Sequence, residues 1–284
     1  MHAAGPCGTV TAMGAIRHHW RHEAATAVKR LVYGAKGEPY RVGDHTLRFI
    51  PGTRPVRLKH AASDNLVSRY DALQIMFLAE HVKPGMICLD VGGFYGQDAL
   101  IMAALCGGAG AVFTFEPDPH ARRMLQANIA LNPGVRAPVI EPSAVWDEVG
   151  EATLYSRGGN ANSALVGSAV GGGGECALEA FTVATTTLDA WRRDRGLRPD
   201  VVKLDIEGAE IAALASASNL LATDVIVLCE LHPYAWPDFG VSFADLEGIL
   251  RGSGRVARYL DGKSFNAATV RGVGGYGIVV LDRA

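Results

Sequence analysis

Apolar and polar positions along the chain change period in a regular way, and the changes mark the elements. Leu66, Tyr70, Leu73, Phe77 and Leu78 recur at helical spacing, predicting a helix over 66–81 that Pro84-Gly85 stops. Strand-sized apolar runs then alternate with helical stretches: a strand over Met86–Val91, a helix over Asp98–Leu105, a strand over Ala111–Phe115, a helix over Pro119–Leu131 and a strand over Arg136–Ile140. Further on, Val201–Ile206 and Val225–Leu231 read as strands separated by a helix over Ala209–Leu221. Unbroken apolar runs such as Val225–Cys229 suit parallel strands buried on both faces. This alternation predicts a doubly wound α/β sheet. The chain closes with a helix over Phe243–Leu250 and strands over Val256–Leu260 and Gly277–Leu281.

The N-terminal part reads differently. Residues 1–12 are small and aperiodic and predict a frayed tail, with Met13 as a second candidate start. Helical spacing runs from Ala15 to Tyr33, and within it His18 and His22 lie one turn apart. No acidic or cysteine co-ligand stands near them, so a solvated basic face is the better reading than a metal pair. Thr46–Ile50 predicts a strand, Pro51-Gly52-Thr53 a turn, and Val56–Leu58 a returning strand. Residues 1–64 are therefore read as a tail, helix and strand pair, and residues 65–284 as the main domain. Gly158–Ser163 and Gly171–Gly174 interrupt the main domain as loops or a hairpin tip.

Composition narrows the function. Of 284 residues 49% are hydrophobic and 20% charged, enough for a packed core. A net charge of −2 gives no basic surplus for nucleic acid, and no apolar run reaches membrane-spanning length. The N-terminus lacks the apolar stretch and cleavage site of a secretory leader. The five cysteines are scattered without paired spacing and read as free thiols in a reducing compartment, so the expectation is a cytoplasmic protein.

Candidate chemistry sits where strands end. Asp90-Val91-Gly92-Gly93-Phe94-Tyr95-Gly96 is a glycine-rich strand-to-helix turn led by an acid; it lacks the G-x-G-x-x-G of a dehydrogenase, and by itself it also fits a purely structural turn. Phe115-Glu116-Pro117 puts a carboxylate at the end of the next strand, where it can accept from both ribose hydroxyls of an adenosine ligand or simply favour a helix N-terminus. In Val202–Glu210, Lys203, Asp205 and Glu207 alternate with apolar residues and face one way, either as a buried ion pair or as part of a ligand site. Glu230-Leu231-His232-Pro233-Tyr234-Ala235-Trp236 ends the following strand, with His232 a base candidate and Tyr234 and Trp236 flat apolar walls.

From about Val42 to Asp282 the sequence resembles the FkbM-type S-adenosylmethionine-dependent methyltransferases. The resemblance rests on Leu89–Gly96, Phe115-Glu116-Pro117, Thr185–Asp189, the signature-like Val202–Glu210 (V-K-L-D-I-E-G-A-E) and Glu230–Pro233. It implies the class I methyltransferase (Rossmann-like) fold, a seven-stranded doubly wound sheet whose last two strands form an antiparallel hairpin, here preceded by an N-terminal helix and strand extension. It also implies O-methyl transfer to a hydroxyl of a sugar, polyketide or glycoside, with N- or carboxyl-methylation as the alternative. An NAD-dependent oxidoreductase and a non-catalytic cofactor-binding module are the rivals of other classes.

On that reading S-adenosylmethionine lies along Asp90, Gly92, Gly93, Gly96, Glu116, Ser143, Ala144 and Asp205. His232, Glu207 and Asp205 are the candidate catalytic residues, with His232 slightly preferred as base because an imidazole needs little tuning near neutrality. Tyr70, Asn162, Ser163 and Trp236 are the candidate acceptor contacts. A magnesium ion at Asp205, Glu207 and Glu230 is weighed, and a site with no resident metal is preferred. The expected partner is a small-molecule acceptor, with neither nucleic acid nor membrane.

Overall fold

The computed structural model of the chain describes residues 26–156, 158, 163–167, 177–263, 265 and 277–284. Residues 26–33 are helical (α1). The rest of the expected N-terminal helix, with His18 and His22, and the Gly171–Gly174 stretch lie outside the described residues.

Strands β1 (Glu38–Val42) and β2 (His45–Phe49) pair antiparallel around a turn at Gly43 and Asp44. The partner of β2 therefore precedes it, and the returning strand expected at Val56–Leu58 does not form. The reason is that the other edge of β2 is already used. The Arg48 N–H donates to Asn132 Oδ1 and the Ile50 N–H to Asn128 Oδ1, both at 2.8 Å. A short 3-10 helix follows at Leu58–Ala62.

Helix α2 (Leu66–His81) is capped by Asn65, whose side chain accepts from the Ser68 N–H at 3.0 Å. Strand β3 (Ile87–Val91), helix α3 (Gln97–Cys106), strand β4 (Ala111–Phe115), helix α4 (Pro119–Ala130) and strand β5 (Val139–Glu141) then alternate as expected. Strand β5 is shorter than predicted: the Arg136 guanidinium donates to the carbonyls of Gly108 and Gly110, and Pro138 has no N–H for a ladder.

A three-stranded sheet not foreseen from the sequence comes next: β6 (Ala144–Val145), β7 (Gly150–Ser156) and β8 (Glu179–Thr186), in the order β6-β8-β7. Thr187 caps the equally unforeseen α5 (Leu188–Arg195), which ends at left-handed Gly196. Strand β9 (Val201–Leu204) stops before Asp205, because the chain turns through Glu207 and Gly208, both at positive φ. The helix expected over 209–221 is split into α6 (Glu210–Ala215) and α7 (Ser218–Leu221). At the break the Ser216 hydroxyl bonds the carbonyls of Trp146 and Ala213. Strand β10 (Ile226–Leu231), helix α8 (Phe243–Ser253), and strands β11 (Arg255–Tyr259) and β12 (Gly277–Arg283) complete the chain.

The central sheet has the order β11-β12-β10-β9-β3-β4-β5. β3, β4, β5, β9 and β10 are mutually parallel, and β12 runs antiparallel to both β10 and β11. Alternation along each strand feeds two apolar layers. Leu89, Val91, Val202, Leu204 and Val227 pack with Trp191, Leu214 and Leu246 on one face. Cys88, Val112, Val201, Leu228 and Val280 pack with Leu78 and Met102 on the other. Full burial of each such side chain is worth roughly 1.5–3 kcal/mol. The order reverses between β3 and β9, which opens a crevice at their carboxyl ends. No helix among the described residues is long and apolar enough to cross a membrane.

Candidate active site

At that crevice lies a partly open cleft lined by Gly92, Glu116, Ser143, Ala144, Asp205 and Glu207 among others. Its floor is the turn after β3. The N–H groups of Gly92 and Gly93 both donate to the Phe115 carbonyl, at 3.0 and 2.9 Å, which folds the turn onto the end of β4. Gly92 has φ +88, and a Cβ there would stand 1.7 Å from the Asp205 carbonyl oxygen. Only glycine lets the two strand ends meet this closely. Gly93 and Gly96 do not line the cleft: they pack beneath it, against Thr114 and Leu125. Asp90 is likewise wholly buried below the floor.

Glu116 forms one end of the cleft. It is 6% exposed; its Oε2 accepts the Phe94 N–H at 2.6 Å and its Oε1 the Asp118 N–H at 2.8 Å. Burial pushes its carboxyl up to about 7, against the pull of these two N–H donors. Each oxygen keeps a second lone pair, so a vicinal diol in the cleft finds a fixed pair of acceptors. Asp118, to which the sequence reading assigned no role, ties the rim together. Its carboxylate caps α4 through the His120 and Ala121 N–H groups and accepts from Ser156 Oγ at 2.5 Å and Ser163 Oγ at 2.7 Å.

Below the floor, buried Lys203 reaches Asp205 Oδ2 and the Gly92 carbonyl at 3.2 Å, Asp90 Oδ1 at 3.5 Å and Asp98 Oδ2 at 3.6 Å. Burial opposes its charge, yet these carboxylates outweigh it and hold the ammonium well above the usual lysine range. Asp90 also accepts from Thr114 Oγ1 at 3.1 Å, and burial pushes it up to about 6. On α2, Asp71 is pushed up to about 7 by burial and by the charges of Glu230, Asp98 and Asp205.

Behind Asp205 and Glu207, which line the cleft, lies an acidic cluster centred on His232, which is 3% exposed and does not itself line the cleft. Its Nδ1 is 2.8 Å from Glu210 Oε1; its Nε2 is 3.4 Å from Glu230 Oε1 and 3.8 Å from both Asp205 Oδ1 and Glu207 Oε2. Burial disfavours the imidazolium, but these carboxylates overcome it and raise the histidine well above its ordinary value. His232 is thus strongly tuned by its carboxylate neighbours, unlike the lightly tuned imidazole expected from the sequence. Burial likewise pushes Glu207 up to about 7, with the His232 charge opposing. Glu207 adopts a left-handed backbone (φ 52), as does Phe94 (φ 44), and both line the cleft. Such non-glycine conformations cost of order 1–3 kcal/mol and concentrate at functional sites.

The expected acceptor contacts divide. Ser163 lines the cleft. Trp236 is buried, and its indole N–H donates to Glu210 at 3.2 Å, so it supports the His232 acceptor instead of forming a wall. Tyr70 is buried in the core layer under α2, away from the cleft. Asn162 lies outside the described residues. Tyr234 is 51% exposed, donates to Glu207 Oε2 at 2.8 Å and sets its ring edge-on to His232, outside the cleft lining. Glu210 ends the signature-like run but drew no role from the sequence; its closeness to His232 depends on strand order.

A sheet of this order with its cleft at the switch point, and two strands closing one edge as an antiparallel pair, is the class I methyltransferase (Rossmann-like) fold. The chain belongs to the FkbM methyltransferase family: the model of the methyltransferase FkbM domain matches residues 90–259. It is 28% identical over 161 residues to the hexuronic acid methyltransferase AglP of Haloferax volcanii, a match covering 56% of this chain and 61% of that protein. Among solved structures it is similar to the methyltransferase FkbM of Methylobacillus flagellatus, at 12% identity and a TM-score of 0.45 over 79% of this chain and 56% of that one. It is also similar to Aeropyrum pernix fibrillarin with S-adenosyl-L-methionine natively bound, at 12% identity and a TM-score of 0.40 over 71% of this chain and 68% of that one.

Proposed function

We propose that the protein transfers a methyl group from S-adenosylmethionine to a hydroxyl oxygen of a sugar or natural-product acceptor. The observation that carries this reading is the polarity of one cleft. Glu116, with a free lone pair on each oxygen for a diol, lines the same cleft as Asp205 and Glu207, and His232 stands behind the latter pair. The cofactor, once bound, supplies a methyl group already activated by a positive sulfur. The chain does the rest: Glu116 receives the ribose hydroxyls, Ser143 and Ala144 flank the adenine, and Gly92 lets the ligand approach the main chain. Asp205 and Glu207 accept the hydrogen bond of an incoming hydroxyl, orient its oxygen and receive its proton.

The matched relative is named for a hexuronic acid, a molecule with both hydroxyl and carboxyl groups. The crowd of carboxylates around His232 favours a hydroxyl, because an incoming carboxylate meets like charges. The test is a panel of sugars, uronic acids and glycosylated natural products incubated with cofactor carrying a deuterated methyl group and analysed by mass spectrometry. Label retained through mild alkali, as in an ether, is the expected result. Label released by alkali marks an ester and would replace this reading with carboxyl methylation.

A further inference from the structure

We infer that Asp205, Glu207 and His232 form a binding site for one divalent first-row transition ion, such as Mn²⁺, at the acceptor end of the cleft. The inference rests on the methyltransferase reading for what the ion does, though not for its binding. Asp205 Oδ1, Glu207 Oε2 and His232 Nε2 all lie within 4.8 Å of one another, with both carboxylate oxygens 3.8 Å from Nε2. An ion about 2.1 Å from each donor would set cis donors about 3 Å apart and trans donors about 4.2 Å apart, so small side-chain shifts close the site.

The donors come from two different parts of the sheet. Asp205 and Glu207 follow β9 and His232 follows β10; Asp205 and His232 are each held through the atom facing away from the site, whereas Glu207 is held through Oε2, the oxygen facing it, which keeps a second lone pair for an ion. Lys203 occupies the second oxygen of Asp205, leaving Oδ1 turned toward His232. Tyr234 donates to Glu207. The imidazole has the most dedicated support. Glu210, fully buried, takes Nδ1 at 2.8 Å while also accepting from the Gly208 N–H at 2.8 Å and the Trp236 indole at 3.2 Å. A carboxylate on the far nitrogen of a buried histidine is the support that metal-ligating histidines use; here it aims Nε2 at Glu230, 3.4 Å away, and at Asp205 and Glu207, both 3.8 Å away, so an ion would take the place of the Glu230 contact. The imidazole donor favours Mn²⁺, Fe²⁺, Co²⁺ or Zn²⁺ over magnesium, which takes oxygen ligands. This differs from the all-oxygen set of Asp205, Glu207 and Glu230 weighed from the sequence. Because Asp205 and Glu207 line the cleft, the ion would face the acceptor and could lower the pKa of its hydroxyl.

The test uses the full chain, stripped with chelator and titrated with Mn²⁺ without cofactor or acceptor. Equilibrium dialysis should give one saturable equivalent per chain, and pulsed electron paramagnetic resonance should show nitrogen coupling from an imidazole. His232→Gln should abolish that coupling, which separates the site from His18 and His22. Glu207→Gln should weaken binding at least tenfold, and Glu210→Gln by about ten- to a hundredfold, as for loss of an outer-shell partner. Absence of saturable binding, a spectrum without nitrogen coupling, or unchanged affinity in Glu207→Gln would overturn the site. S-Adenosylhomocysteine binding, measured separately on the same proteins, reports folding and the cofactor reading. Cofactor-product binding without Mn²⁺ overturns only the metal site, and Mn²⁺ binding without cofactor-product binding overturns only the cofactor reading.

Discussion

Replacing Glu116 by glutamine tests the ribose assignment most directly. The carboxylate accepts one backbone N–H on each oxygen, from Phe94 at 2.6 Å and Asp118 at 2.8 Å. An amide has one oxygen, so its NH₂ must face one of these donors and leave a buried N–H without an acceptor. That should cost roughly 1–3 kcal/mol of folding stability. On the ligand side, hydrogen bonds to a charged acceptor contribute about 1.5–3 kcal/mol, so S-adenosylhomocysteine affinity should fall about ten- to a hundredfold. The free protein adds a second signature, because burial pushes Glu116 up to about 7. If the diol needs the ionised form, affinity in the wild type should drop about tenfold between about pH 8 and about pH 6. Glu207 and Asp71 are also pushed up to about 7. The diagnostic quantity is therefore the difference between proteins, read by isothermal titration calorimetry across this range. The pH slope should be present in the wild type and absent from Glu116→Gln. Equal slopes in both, or unchanged affinity at the alkaline end, would refute the reasoning.

Glu116 also makes folding pH-dependent: its folded value, about 7, lies above its ordinary 4.5, so the native state holds the proton more tightly. Its contribution to stability should fall as pH rises from about 4.5 to about 7, by up to roughly 3 kcal/mol, and level off above, and urea midpoints of the wild type minus Glu116→Gln should show that fall. Gly92→Ala puts a Cβ 1.7 Å from the Asp205 carbonyl at φ +88, so its urea midpoint should drop sharply and adenosyl-ligand binding should be lost; a wild-type midpoint contradicts the close approach. Buried Asn128 accepts from Ile50 at 2.8 Å and donates to the Tyr95 carbonyl at 2.9 Å, so Asn128→Ala should cost roughly 1–3 kcal/mol by chemical denaturation, and an unchanged stability would mean that it does not pin the strand pair to the cofactor turn.

The strands most legible in the sequence are those buried on both faces. Ala111–Phe115 has the predicted bounds, and Val225–Leu231 differs by one residue, because a continuous apolar run admits few other readings. What escaped depends on partners far along the chain. β1 was missed because the Gly43-Asp44 turn precedes β2, whereas Pro51-Gly52 is the more conspicuous punctuation. The asparagines that occupy the free edge of β2 come from the last turn of α4 (Asn128) and just beyond its end (Asn132), about 80 residues later in the chain, where nothing local marks them as edge caps. β7 and β8 alternate weakly and are separated by a glycine-rich stretch that reads as loop. At the site, Glu116, Asp205, Glu207 and His232 are legible because strand ends are where a doubly wound sheet exposes polar groups to ligand. Asp118 and Glu210 are not, since a helix cap and the second acid of a signature look the same whether or not they support something else.

The character of the acceptor end follows from the strand order. β9 and β10 are parallel neighbours with Leu204 level with Cys229, which sets Asp205 beside Glu230 and brings the turn carrying Glu207 and Glu210 over His232. Sequence parity supplies one carboxylate at a time; the register stacks them. Lys203 is already engaged with Asp90, Asp98 and Asp205, so His232 is the nearest cation left for Glu207, Glu210 and Glu230. One imidazolium does not balance three carboxylates. Burial pushes Glu207 up, with the charges of Asp205 and Glu230 adding to it against His232, and the same surplus draws a cation or hydrogen-bond donors. A neutral polyhydroxy molecule meets that demand by donating its hydroxyls. On the proposed reading a uronate would enter with its carboxylate turned away from this charge, leaving a hydroxyl to face Asp205 and Glu207.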